Sequence, residues 1–433
     1  MAIERRDILL AVVMVLVAAG SARGEIRTTT FETKAPAEAF ATMTATCDMC
    51  AWDVAGREAV VLSLALDGRY LQHLPVVRTA RAEYRVMLGR VEPGRHTFVV
   101  DEDAALTSPE LRGRARVAVG AIDVALIEAT ARDYTAISLA PILYARPDTV
   151  GKYTDVPVFM WYEIEPTARG VRYRYSVIFT NEDGGTPADR LMATWGRATD
   201  IEYVYSVEID HRGDILADDI QGPKHEILPF NGRREGRHPL LWVSTSNNMV
   251  LPEGSTRVRY APAPAAVQLR DVSREAVMDM HPWLYELMAK ELKREGKIAA
   301  DPRTGHGTIL DPRQYVYMEG CGNLAEKALT FAIRVGSEWI SSDRGLGDYR
   351  IVRDGCFRAA IPLPARATIK DVRAIRAEVF SRQGKTNSAP ARLFRINTIF
   401  ALDEHFVPGT SVIHWTGSAQ LQPGGPPLEL PVD

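Results

Sequence analysis

Short runs in which every second residue is apolar, separated by turn residues, recur along nearly the whole chain. A strand sends successive side chains to opposite faces, so such alternation marks strands with one buried face. The clearest example is residues 60–73, where Leu62, Leu64 and Leu66 alternate with smaller residues and Asp67-Gly68 supplies a hairpin turn. Residues 84–89 alternate, Pro93-Gly94 turns the chain, and residues 96–100 alternate again, which reads as a second strand pair. Further strands are predicted over 114–124, 158–164, 171–180, 200–209 and 240–244, with turns at 181–185 and 210–213. Leu329, Phe331, Ile333 and Val335 mark one later half-buried strand, and Phe394, Ile396, Thr398, Phe400 and Leu402 another. The expected fold is mainly β: tandem β-sandwich domains of immunoglobulin-like or jelly-roll-like layout. One amphipathic helix is predicted near residues 273–295. Leu284, Leu287, Met288 and Leu292 form its apolar stripe, Pro282 suits its first turn, Gly296 its stop, and Glu286 and Lys290 an i, i+4 ion pair.

With 433 residues the chain exceeds what one core usually supports. The reading divides it into an N-terminal sandwich over 25–130, a middle β-rich domain with the helix over 137–310, and a C-terminal sandwich over 315–433. Residues 1–24 read as a signal peptide. Arg5 and Arg6 precede an apolar stretch from Ile8 to Gly20, too short to span a bilayer, and Ala22 and Gly24 stand at the −3 and −1 positions of a cut before Glu25. The mature chain is therefore expected to be exported, periplasmic or secreted, with no transmembrane segment. A net charge of −3 gives no electrostatic case for nucleic acid.

Four cysteines in an exported chain suggest two disulfides, and three pairings are open; proximity favours Cys47 with Cys50 and Cys321 with Cys356. Cys47-Asp-Met-Cys50 has the spacing of a redox dithiol. The residues after it do not read as a helix whose N-terminus would lower a thiol pKa, so a structural clip is the preferred reading.

The middle segment holds the candidate chemistry. Asp200 and Glu202 are two apart on a predicted strand and share a face. His225 and His238 lie on neighbouring segments. Two carboxylates and two imidazoles suit a divalent metal or acid–base work, so Asp200, Glu202, His225 and His238 are the candidate metal ligands. His225-Glu226 is not the start of a zinc helix, because Pro229 occupies the position of the second histidine. No nucleophile elbow, phosphate-binding loop or dinucleotide glycine pattern occurs. Trp161, Tyr162, Tyr173, Tyr175, Trp195, Tyr203 and Tyr205 make the segment aromatic-rich. Such rings serve a core when buried and stack on sugars when exposed, which keeps a carbohydrate or cell-envelope ligand in view.

Residues 140–148 (Ala-Pro-Ile-Leu-Tyr-Ala-Arg-Pro-Asp), 199–204 (Thr-Asp-Ile-Glu-Tyr-Val) and 237–243 (Arg-His-Pro-Leu-Leu-Trp-Val) distantly resemble, in the same order, three motifs of the vacuolar-protein-sorting-like β-rich family. Where that family usually follows its acidic pair with a histidine, this chain has Tyr203. The resemblance covers about a quarter of the chain. It implies a β-rich fold, transfers no mechanism, and adds to the expectation that Asp200, Glu202 and His238 share a site. The resulting expectation is an exported, multi-domain β-sandwich protein of binding or structural type. A metal-assisted hydrolase, or other acid–base enzyme, with its site in the middle segment is the alternative.

Overall fold

A computed structural model describes residues 25–182 and 184–432. The expected signal peptide and its cut near Gly24 lie outside these residues, as does Asp183 of the 181–185 turn. The chain forms two compact units. Of the described residues, those up to Phe179 together with Glu202–Ala266 make unit 1, and those of the 180–201 segment together with those from Val267 onward make unit 2.

Unit 1 begins with β1 (Glu25–Thr33), β2 (Ala37–Cys47), β3 (Val61–Leu66), β4 (Arg69–Pro75), β5 (Ala82–Val91), β6 (Gly94–Glu102) and β7 (Val117–Glu128). The sheets β1-β6-β3-β4 and β5-β2-β7 face each other across one core that includes Ala41, Met43, Leu62, Leu64, Val86, Leu88, Phe98 and Val100. The β3–β4 hairpin forms where expected. Asp67 and Gly68 both take positive φ, 52° and 74°, as the tight two-residue hairpin turn requires. The expected pairing of residues 84–89 with 96–100 is not made. β5 pairs with β2, whereas β6 joins β1 and β3 in the opposite sheet. Both strands turn an apolar face to the same core, so the chain changes layer at Pro93-Gly94 instead of closing a hairpin.

The rest of unit 1 contains α1 (Tyr134–Ser138), β8 (Ile142–Tyr144), β9 (Pro157–Pro166), β10 (Val171–Phe179), β11 (Asp200–Ile209), β12 (Ile215–Gln221), β13 (Ile227–Pro229), β14 (Arg234–Glu235), β15 (His238–Val243), β16 (Val250–Leu251), β17 (Arg259–Tyr260) and β18 (Ala265–Ala266). They build a six-stranded sheet, β13-β12-β11-β10-β9-β18, and a second sheet, β14-β15-β8-β17 with β16 paired to β15. Tyr162, Tyr173, Tyr175 and Tyr205 lie in the core of these layers with Val204, Val207, Leu241 and Trp242, and Trp161 is fully buried too. Most of the aromatic run is thus interior. The boundary with unit 2 falls inside β11, after Ile201.

Unit 2 contains α2 (Ala188–Trp195), α3 (Ala276–Met280), α4 (Trp283–Arg294), β19 (Tyr315–Asn323), β20 (Ala328–Val335), β21 (Glu338–Ser341), β22 (Gly355–Pro362), β23 (Val372–Phe380), β24 (Ala391–Ala401), β25 (Trp415–Leu421) and β26 (Leu428–Pro431). The sheets β22-β19-β24-β25 and β21-β20-β23-β26 enclose one core, a second sandwich. β20 was expected to be half-buried but is closed on both faces from Ala328 to Ile333. Its second face meets the 341–343 segment, where Thr330 Oγ1 and Ser342 Oγ lie 3.0 Å apart. The single helix expected over 273–295 is two. The break is at His281 (φ −131°, ψ 70°), because the ring of Pro282 pushes the preceding residue out of the helical region. α4 then buries the predicted stripe of Leu284, Leu287, Met288 and Leu292, and Lys290 Nζ sits 2.7 Å from Glu286 Oε1.

Candidate functional site

In unit 1 a cleft of about 680 Å³ opens where β13 and β16 run out. Main-chain bonds shape it. Phe230 N–H donates to Asp218 O, which carries the β13 ladder to its end, and Leu240 N–H donates to Arg233 O. Between them residues 231–233 follow no ladder. Ile220, Leu228 and Leu251 give the cleft an apolar lining, Pro229 and Pro252 add rigid apolar walls, and Asn231, Arg233 and Glu253 bring polar groups. Two glycines permit the close approaches. A Cβ on Gly232 would stand 2.7 Å from both Phe230 Cε2 and Pro252 Cβ, and one on Gly254 would stand 2.4 Å from the Trp242 ring.

A series of stacked cations and rings leads away from this cleft. The Arg233 guanidinium lies 5.8 Å from the Trp242 ring centre, and Trp242 stacks on Tyr144 at 4.3 Å and 13°. Tyr144 lies 5.9 Å from the guanidinium of Arg259, and Tyr70 lies 5.7 Å from the same group. Arg259 Nη1 donates to Glu235 Oε2 at 2.7 Å, and Arg69 approaches the other oxygen at 3.3 Å. Burial pushes the Glu235 carboxyl up, but the bond from Arg259 and the charges of Arg259, Arg69 and His238 bring it below the ordinary carboxylate range.

Tyr70 also begins a hydrogen-bonded chain. Its hydroxyl is 2.6 Å from His73 Nδ1, and His73 Nε2 is 3.1 Å from Asp103 Oδ2. The carboxylate accepts, so Nε2 carries the hydrogen and Nδ1 accepts from Tyr70. Burial lowers the His73 pKa against the pull of Asp103, and burial raises Tyr70 to about 12. A tyrosine so hard to ionise is a poor nucleophile at neutral pH. The chain of bonds fixes β4 against the 103–106 turn, where Asp103 Oδ1 also accepts from Ala105 and Leu106 N–H.

The four metal-ligand candidates have separate surroundings. Asp200 is buried with Arg197 Nη1 at 3.8 Å from its Oδ1, and Glu202 is buried two residues on. His225 stands on the exposed β12–β13 turn, with Nδ1 2.9 Å from Gln221 Nε2. His238 is buried: Nδ1 donates to Ala140 O at 2.8 Å, and Nε2 is 3.0 Å from Glu38 Oε2. Because the carbonyl only accepts, Nδ1 carries a hydrogen toward Ala140 and Nε2 is turned toward Glu38. Among the described residues no three His, Cys, Asp or Glu side chains form a group that could hold a metal.

Both nearest-neighbour disulfides are present, Cys47–Cys50 and Cys321–Cys356. Cys47 and Cys50 are buried at the end of β2, and a turn follows them rather than a helix.

Unit 2 holds a charge cluster that the sequence reading missed. Arg358 has no exposed surface; it donates to Asp279 at 2.7 and 2.6 Å, to Glu319 at 2.9 Å and to the Tyr285 hydroxyl at 2.9 Å. Arg197 Nε donates to Glu275 Oε1 at 3.1 Å. Burial pushes Glu275 up, but Arg197, Arg353, Arg274 and Arg358 together hold it at about 2. The one signal in the sequence was a lone arginine inside the apolar run 357–361. The polar Asn231-Gly-Arg-Arg234 between two strands was the equivalent signal for the cleft.

No family model matches the chain, and no curated protein matches it. Solved structures similar to parts of it include the CBM36-1 domain of a multidomain xylanase from the hindgut metagenome of Trinervitermes trinervoides. That likeness has 12% identity and a TM-score of 0.18, over 24% of this chain and 74% of that one. The C-terminal domain of EclA, a sugar-binding protein, matches at 16% identity and TM-score 0.18, over 28% of this chain and 82% of that one. A GH2 beta-galacturonidase from Eisenbergiella tayi matches at 14% identity and TM-score 0.14; 38% of this chain is covered but only 24% of the enzyme. Likenesses this low assign no ligand, and the chain belongs to no family on their account.

Proposed function

We propose that this is an exported, β-sandwich binding protein whose ligand seat is the unit 1 cleft, and that the ligand is a carbohydrate. The cleft itself carries the reading. Its volume lies within the range of small-ligand pockets, and apolar walls with a few convergent polar groups are the usual composition of such sites. A sugar offers both an apolar CH face and a rim of hydroxyls. Pro229 and Pro252 suit the first, and Asn231, Arg233 and Glu253 suit the second. Glu253 is the one carboxylate of the lining, whereas glycoside hydrolysis canonically uses two, which favours binding over turnover. Export is supported by the two disulfides, which persist in oxidising compartments, and by the short apolar segment at residues 8–20. Among the described residues no helix is long and apolar enough to cross a membrane.

The test is a screen of the purified chain against an oligosaccharide array, followed by calorimetric titration of any hit with wild type, Arg233→Ala and Glu253→Ala. Saturable binding weakened at least tenfold in both variants supports the reading. Binding to no glycan, or equal binding by all three proteins, removes it.

A further inference from the structure

We infer that Asn231 is a site of spontaneous covalent modification, by cyclisation onto the Gly232 nitrogen and loss of ammonia. Asn231-Gly232 is the one Asn-Gly step in the chain. The reaction needs three things: an accessible side-chain amide, a following main-chain nitrogen that is unhindered and free of other bonds, and a backbone able to rotate the two together. The structure shows the first two, and the glycine favours the third. Asn231 is exposed, and residues 231–233 belong to no strand, helix or turn. Neither the Asn231 amide nor the Gly232 N–H has a hydrogen-bond partner among the described residues. Gly232 has no side chain to shield its nitrogen, and glycine is the most permissive residue for the rotation.

The other asparagines lack this combination. Asn248 and Asn181 are buried, and Asn397 Nδ2 donates to Glu319 Oε1 at 2.9 Å. None of the six other asparagines precedes glycine. The packing of the cleft also keeps the reactive step in place. A β-carbon on residue 232 would collide with Phe230 and Pro252 at 2.7 Å, so glycine cannot be exchanged for a bulkier, protective residue without repacking that wall.

The chemistry balances with water as the only co-reactant. The deprotonated Gly232 nitrogen attacks Asn231 Cγ, a C–N bond forms, and the side-chain nitrogen leaves as ammonia. The cyclic imide is then opened by water at either carbonyl, giving aspartate or isoaspartate. Either product places a second carboxylate in the cleft lining with Glu253 and removes an amide donor; isoaspartate also adds a methylene to the main chain. On the binding reading above, the modified form binds its ligand more weakly.

The experiment incubates the folded chain at mildly alkaline pH in ¹⁸O-water and maps its peptides by mass spectrometry at intervals. A free peptide of residues 226–237 serves as reference. The expected result is conversion of Asn231 to a mixture of aspartate and isoaspartate, each with one solvent oxygen, at a rate within about tenfold of the free peptide, while peptides carrying the other asparagines convert far more slowly. Asn231→Gln, an exposed change that lengthens the would-be ring, abolishes the conversion. An intact Asn231 in the folded chain while the free peptide converts overturns the inference, and so does aspartate formed without isoaspartate. These readouts do not depend on any ligand, so failure here and failure of the binding reading are distinguishable.

Discussion

Both units gather arginines around carboxylates and aromatic rings, but they bury them to different depths. In unit 2 the Arg358 side chain is 0% exposed, and both its terminal nitrogens are held by Asp279, Glu319 and Tyr285. In unit 1 the comparable series grades outward: the Arg259 side chain is 8% exposed, Glu235 30% and Arg69 59%, and the aromatic stack ends at exposed Arg233 in the cleft. A buried, hydrogen-bonded charge contributes by avoiding the cost of standing alone. A charge at an open rim contributes little to stability and remains free to meet a ligand. Burial therefore separates a structural arginine from one left open at the surface more sharply than residue type does.

The largest effect should come from Arg358→Leu. It leaves Asp279 and Glu319 without their buried counter-charge, a loss of about 3–5 kcal/mol. Urea unfolding should show a marked fall in the midpoint of unit 2; a midpoint equal to wild type would mean that the buried pairs are as dispensable as rim charges. The disulfides give the next contrast. Replacing Cys321 and Cys356 by Ser opens a loop with a sequence separation of 35 and should cost about 4 kcal/mol. The same change at Cys47 and Cys50, with a separation of 3, should cost about 2 kcal/mol. A reversed order in thermal or chemical melts would place more strain or more residual structure on the longer loop than chain entropy allows.

Acidification should act on both units. Burial depresses His73 in the folded chain, so the unfolded chain takes up the proton first. Its contribution is complete above the unfolded value of about 6.5 and is lost as pH falls through the folded one. Glu275 in unit 2 is held at about 2, so its contribution is complete above the usual glutamate value and lost as pH falls toward about 2. His281 in unit 2 is also lowered by burial. The informative quantity is therefore the difference between wild type and His73→Gln: the variant should lose less stability between about pH 7 and pH 5. Parallel slopes would show that His73 does not titrate differently on folding. Smallest of all, Arg233→Ala should leave the unfolding midpoint within about 0.5 kcal/mol of wild type, as expected of an exposed side chain. A larger loss would mean that the stack on Trp242 is structural, and would weaken the contrast between the two units.

Much of the secondary structure was legible because alternation is a local signal. The β3–β4 hairpin, β9 to β11, and the stripe on α4 follow from which residues are apolar and from Asp67-Gly68, Pro282 and Gly296. The α3–α4 break was legible as well, since Pro282 disfavours a helical residue before it, but the longer apolar stripe masked it. α2 was missed. Its eight residues are too few for a clear periodic signal, and its stop at Gly196 (φ 64°) is plain only in the folded chain.

The sequence by itself determined that this chain makes sandwiches, because a period-two pattern can bury its apolar face only against another sheet. It also favoured the two disulfides, since short loops close most easily. Only the tertiary structure decided which strands share a sheet, sending β5 and β6 to opposite layers although one turn joins them. The fate of the charged groups was decided there too. Asp200, Glu202, His225 and His238 looked like one site along the chain, yet His238 found Glu38, 200 residues away, and His225 remained at an exposed turn. Arg358 was sealed while Arg233 was left at a cleft. Spacing along a strand fixes the face on which a side chain stands, but what lies opposite that face depends on contacts between distant segments, and those contacts set burial, partner and charge.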